Sequence, residues 1–128
     1  MANTKNIGKH FEGEGEMDYD FVNDILFFKA KNREYEFSLE LHSMVIDIDD
    51  KELITGLQIF GASEFLGVKK SDLRQIAKWR FEAKIDDKTV ELRLFYQIMI
   101  RNQIIEKNPI IIQDNTANLP SSRMIVVS

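Results

Sequence analysis

A chain of 128 residues, 44% of them apolar, can bury one core without staples, so a single domain is expected over residues 17–128 behind a tail of residues 1–16. The absence of cysteine excludes disulfides, a thiolate nucleophile and thiolate metal ligands, and no apolar run approaches the roughly 20 residues of a membrane span. Net charge is −4 but uneven: residues 12–64 carry 14 acidic and 4 basic side chains, residues 69–101 carry 9 basic and 5 acidic.

Residues 1–16 are polar, rich in glycine and without periodicity, which reads as a flexible tail in which His10 is incidental. No apolar signal core opens the chain, and a cytoplasmic location is expected. Strands are predicted over 17–22, 25–31 and 34–41, with turns at Asn23-Asp24 and Asn32-Arg33. In the second hairpin Lys31 would face Glu34, Lys29 would face Glu36, Phe28 would face Phe37 and Leu26 would face Leu39. Opposite charges then share one face and apolar groups the other.

The next stretch, Met44 to Ser63, reads as a hairpin around Asp49-Asp50-Lys51. Counting outward, Ile48 meets Leu53, Ile46 meets Thr55 and Met44 meets Leu57. The first five strands would then form a meander. Residues 63–77 are the one helical stretch, with Ser63 and Ser71 as caps and Gly67 as a break. A third hairpin turns at Asp87-Lys88. It sets Ile85 against Val90, Ala83 against Leu92, Phe81 against Leu94 and Trp79 against Tyr96, with Lys84 on Glu91 and Glu82 on Arg93 across the other face. From Leu94 to Ile100 the alternation fails, since Phe95 and Met99 are apolar on a polar face. Residues 110–112 and 123–127 read as short strands, the last at a sheet edge.

Two of these segments resemble a known family. Tyr19-Asp20-Phe21-Val22-Asn23-Asp24-Ile25-Leu26-Phe27-Phe28 is similar to the opening of the prokaryotic family called domain of unknown function 2283. Leu57-Gln58-Ile59 with Gly61-Ala62-Ser63 is similar to its close, except that Gln58 stands where the family more often has Glu. The resemblance covers roughly residues 17–66. It implies a small β-rich fold and no agreed activity, with an antitoxin-like partnership to small toxin-like proteins as one role in view.

Candidate chemistry is sparse. Asp47, Asp49, Asp50 and Glu52 form the densest acidic cluster, but they straddle a turn with no glycine at its bend, so solvated turn residues are expected rather than a cation site. His42, the one histidine beyond the tail, could act as a base with Asp20, Asp24, Glu40 or Asp47, with Ser38 or Ser43 as nucleophile by type only. The sequence contains no phosphate loop, dinucleotide fingerprint or nucleophile elbow. Trp79, Phe81, Phe95 and Tyr96 lie among basic residues as in a nucleic-acid platform, yet the alternation places Trp79, Phe81 and Tyr96 in the core.

The expected fold is α+β: a mainly antiparallel β meander or sandwich-like sheet with one short helical segment. The expected function is a non-catalytic protein-interaction module, with no catalytic, cofactor-binding or metal residues and no cofactor. It would form a homodimer or bind another protein, with no nucleic-acid or membrane partner. Phe95, Met99 or residues 123–127 would lie in a dimer interface. The alternatives are a small enzyme using carboxylates and His42, and a nucleic-acid binder using residues 69–101.

Overall fold

The computed structural model describes residues 9–128. The longest strands are β1 (Lys9–Asp20) and β7 (Thr89–Ile100), and β1 determines the architecture. Its first half pairs in parallel with β10 (Ser122–Val127), from Lys9 opposite Ser122 to Glu14 opposite Val127. Its second half pairs antiparallel with β2 (Ile25–Ala30), from Gly15 opposite Ala30 to Asp20 opposite Ile25. One strand therefore belongs to two half-sheets.

The other strands are β3 (Phe37–Leu41), β4 (Met44–Ile48), β5 (Ile54–Phe60), β6 (Ile76–Ile85), β8 (Gln103–Lys107) and β9 (Ile110–Asp114). Their order across the ten-stranded path is β3-β4-β5-β2-β1-β10-β6-β7-β8, and β9 also pairs with β7. The helical stretch is two short pieces, α1 (Ala62–Leu66) and α2 (Lys70–Leu73). The molecule is thus mainly β with little helix, and every strand pair but β1–β10 is antiparallel.

The alternation of apolar side chains explains how the halves close. Leu26, Phe28 and Ala30 from β2 and Met44, Ile46 and Ile48 from β4 are buried on one side. Trp79, Phe81, Ala83 and Ile85 from β6 and Val90 to Ile98 at every second position of β7 are buried on the other. The two sets meet in one cluster. Phe28 packs edge-on against Trp79 with ring centroids 5.0 Å apart and lies 6.3 Å from Phe81. Each such large side chain contributes on the order of 1.5–3 kcal/mol when fully buried.

The hairpin between β6 and β7 has the expected register at every pair from Trp79–Tyr96 to Ile85–Val90. Other expectations need correction. The first five strands are not a meander, because β2 pairs with β1 and β5 while β3 lies at the sheet edge on β4. The lysines that seemed to bind β2 to β3 find their acids on β1 instead. Lys29 sits opposite Glu16, and Lys31 lies 3.6 Å from Glu14.

In the β4–β5 hairpin Ile46 faces Leu57 and Met44 faces Ile59, two residues away from the expected register, with a bulge between Asp47 and Ile48. A slip of two keeps every side chain on its face. The turn is longer than expected because Asp49 organises it from inside.

The helical caps also differ. Gly61 and Gly67, both left-handed (φ 61° and 68°), bound α1, and Lys69 rather than Ser71 precedes α2. Strand β6 starts at Ile76, inside the expected helical stretch. Residues 9–16, expected as tail, belong to β1, and the rest of that tail lies outside the described residues. Strand β10, expected at an edge, lies between β1 and β6. Strand β8 was not anticipated; Arg101 and Asn102, with φ of 50° and 62°, make the tight turn into it.

Gly15 stands at the changeover in β1. A Cβ placed there would lie 2.2 Å from Val126 Cγ1, 2.7 Å from the Lys29 carbonyl oxygen and 2.8 Å from Trp79 Cη2. All three of these groups belong to the core or the backbone, so little can yield. Gly15→Ala is expected to destabilise the fold by about 1–3 kcal/mol or more, read from the urea midpoint. Tyr96 poses the opposite case. Its hydroxyl is buried without a hydrogen-bond partner, and burial pushes its pKa up to about 12. Tyr96→Phe removes a desolvated group at almost constant shape, so the melting temperature should stay level or rise. A loss above about 1 kcal/mol would mean that the hydroxyl has a hydrogen-bond partner in solution.

Candidate functional site

The residues that carry the family resemblance converge in space. Asp24 sits in the turn after β1 with a φ of 56°. Its carbonyl accepts a hydrogen bond from the Ala62 amide at 3.0 Å. Its carboxylate accepts from the Ser63 amide at 3.0 Å, the Ser63 hydroxyl at 2.6 Å and the Tyr19 hydroxyl at 2.5 Å. Gly61 has no side chain with which to cap α1, so Asp24, 39 positions away from Ser63, supplies the acceptor. Ser63, expected as the cap, is held by that carboxylate instead.

Burial alone would raise the Asp24 pKa, but hydrogen bonds from Ser63 and Tyr19 together outweigh it and hold the carboxyl below its ordinary value. Burial first, then Asp24, raise the Tyr19 phenol well above its ordinary value. Both groups are moved away from neutrality, which suits a fastener better than proton transfer. Phe21 extends the same fastening. Arg74 Cζ lies 4.9 Å and Lys70 Nζ 5.3 Å from its ring centroid, tying the end of α2 to the β1–β2 turn.

The acidic turn also separates into structural parts. Asp49 is buried and ion-pairs with Arg33. It also accepts hydrogen bonds from the Lys51 and Leu53 amides, both at 2.9 Å. Burial opposes its ionisation, but the Leu53 amide, Arg33 and the Lys51 amide outweigh that and hold its carboxyl below the ordinary value. Arg33 Cζ also lies 4.6 Å from the Phe11 ring centroid, so one side chain joins the β2–β3 loop, β1 and the β4–β5 turn. In the sequence Arg33 is a turn residue with no local signal to distinguish it.

Asp47 is elsewhere, on β4, and accepts from the Ser38 hydroxyl at 2.7 Å. Asp50 and Glu52 are exposed. No three His, Asp or Glu side chains converge as metal ligands among the described residues. His42 is exposed in the β3–β4 turn with a φ of 54°. Asp49 lies at the opposite end of β4, so the strand separates the two. His10, on β1, lies 3.2 Å from Glu12. Of the aromatic residues in the basic segment, Trp79, Phe81 and Tyr96 are buried and unavailable for stacking, while Phe95 is half-buried.

What remains is a surface. Strands β8 and β9 run along β7 in one register, interrupted at Asn108-Pro109. On their outer face Met99, Ile104, Ile110 and Ile112 are exposed to 41%, 63%, 54% and 58%. Met99 faces Ile104 across the strands, and Ile110 and Ile112 stand beside Arg93 and Glu91. The break in alternation at Met99 pointed here, but the three isoleucines could be placed only once β8 and β9 were located on β7. Isolated exposed apolar residues are ordinary; several along one sheet margin are not.

Comparisons with known proteins agree on kinship. A family model described as "Protein of unknown function (DUF2283)" matches residues 16–63. A protein of Methanosarcina mazei, provisionally named a hypoxanthine phosphoribosyltransferase, is 30% identical over 105 residues, covering 82% of this chain and 85% of its own. An uncharacterized protein of Methanocaldococcus jannaschii is 26% identical over 111 residues, covering 86% of this chain and 96% of its own. No solved structure matches.

The clip predicts a pH response. A carboxyl whose folded pKa lies below its ordinary 3.8 contributes stability above that value and loses it as pH falls further. Stability should therefore be level from neutrality to about pH 5 and fall below about pH 4. Asp24→Asn should cost about 1–3 kcal/mol at neutral pH and flatten the acid limb. Urea titrations across pH measure both effects.

Proposed function

The chain belongs to the DUF2283 family of proteins of unknown function, and we propose that it is a non-catalytic protein-interaction module that docks through the outer face of β7, β8 and β9. The supporting observation is the row of Met99, Ile104, Ile110 and Ile112 along that margin. An antitoxin-like pairing is one form of this reading, in which the acidic stretch 12–64 complements a basic partner.

The engagements of Asp24 and Asp49 support the same reading. Phosphoribosyl transfer, the activity in one relative's name, would use polar groups free to hold a phosphorylated sugar. Here Asp49 spends its oxygens on Arg33 and two backbone amides, and Asp24 spends its own on Ser63 and Tyr19. For a carboxylate and His42 enzyme, Asp49 lies at the far end of β4 from His42, and Asp24, at the same end of the half-sheet as His42, is held by Ser63 and Tyr19. No helix of the described residues is long and apolar enough to cross a membrane.

The test is the mass of the tagged chain isolated from its own cells. Light scattering coupled to size exclusion should give more than the 14.9 kDa of one chain. The double variant Ile104→Lys with Ile112→Lys should elute as one chain with its melting temperature unchanged. A native chain that elutes alone from its own cells would overturn the reading.

A further inference from the structure

Resting on the interaction reading, we propose that the partner is a second copy of this chain, joined by antiparallel pairing of β9 with its twofold mate. Ile110 then lies opposite Ile112 of the partner subunit. The first argument is backbone geometry. The Leu94 amide donates to the Pro109 carbonyl at 3.0 Å, and the Asn115 amide donates to the Lys88 carbonyl at 2.8 Å. In an antiparallel ladder the bonded residues alternate, so 109, 111, 113 and 115 turn their backbone groups toward β7. The amides and carbonyls of Ile110 and Ile112 therefore face the open side, where no strand lies among the described residues.

The second argument is charge. Sheet edges are ordinarily blunted by charged side chains or bulges. The opposite edge, at β3, is blunted by exposed Glu34, Glu36 and Glu40, and two copies meeting there would bring like charges together. Along β9 the run Asn108-Pro-Ile-Ile-Ile-Gln113 has no charge at all. That isoleucine-rich stretch, with the terminal Asp114 as the one charge on β9, fits its own copy.

The register follows from complementarity. A twofold centred on Ile111 sets Ile110 against the partner's Ile112 and Asp114 against the partner's Asn108. On the outer face Arg93 stands beside Ile110 and Glu91 beside Ile112. Each row across the joint then runs from Arg93 through two isoleucines to the partner's Glu91, and no like charges face each other. This arrangement is isologous, as a closed twofold requires.

The test uses the purified full chain at micromolar concentration. Light scattering should give twice 14.9 kDa, and hydrogen exchange should show slow amides at Ile110 and Ile112. Ile112→Pro removes a donor that only the partner uses, since that amide faces away from β7, so it should give a one-chain mass with an unchanged melt. Should that variant fail to fold, Ile112→Lys serves in its place and should also give a one-chain mass. A dimer that persists in both variants but dissociates in Met99→Lys with Ile104→Lys refutes the edge pairing and leaves the interaction reading standing. A purified monomer that is complexed when isolated from its own cells refutes the second copy alone. A monomer in both settings refutes both.

Discussion

Everything in this structure depends on one strand serving two ladders. Strand β1 gives its first six residues to β10 and its last six to β2, so the half-sheet β3-β4-β5-β2 is tied to the half-sheet β10-β6-β7 by a single run of backbone. Backbone amides and carbonyls must be paired wherever they are buried, and β1 supplies those partners on both sides. The cost is steric. At Gly15 the strand passes Val126 and Trp79 so closely that no side chain fits. Glycine is used there for closeness of approach, and the aromatic core of Phe28, Trp79 and Phe81 closes behind it.

The polar chemistry serves that closure. Two carboxylates are drawn out of full solvation, and each is repaid by hydrogen bonds rather than left exposed for reaction. Asp24 bridges the β1–β2 turn and the start of α1, positions 39 residues apart. Asp49 gathers Arg33 and its own turn amides. Such charge-assisted bonds are stronger than neutral ones, and removing one partner strands the other. The residues shared with the DUF2283 pattern are thus those that hold the first half of the chain in register.

The two margins of the sheet are treated differently. β3 carries exposed Glu40, with exposed Glu34 and Glu36 just before it, and charge at an edge is a common guard against edge-to-edge association. β8 and β9 carry exposed isoleucines, and the one charge on β9 is the terminal Asp114. Selection for solubility alone would not favour that contrast, whereas a surface that is covered in use would produce it.

The sequence by itself determined the local pairings. The β6–β7 hairpin was legible residue by residue because alternation, turn and opposite charges such as Lys84 and Glu91 all agreed on one register. The family pattern of Tyr19, Asp24, Ala62 and Ser63 was legible as a pattern, though not as a clip. Tertiary structure alone decided the non-local partners. Lys29 and Lys31 match Glu36 and Glu34 as well as they match Glu16 and Glu14, so charge could not say whether β2 pairs with β3 or with β1. Residues 9–14 have no apolar alternation, because their pairing with β10 is made by backbone groups that every residue carries. The edge at β9 was hidden for the same reason. Whether Ile110 and Ile112 face a core or open water depends on which strands arrive beside them, and that is settled by chain closure across the whole fold.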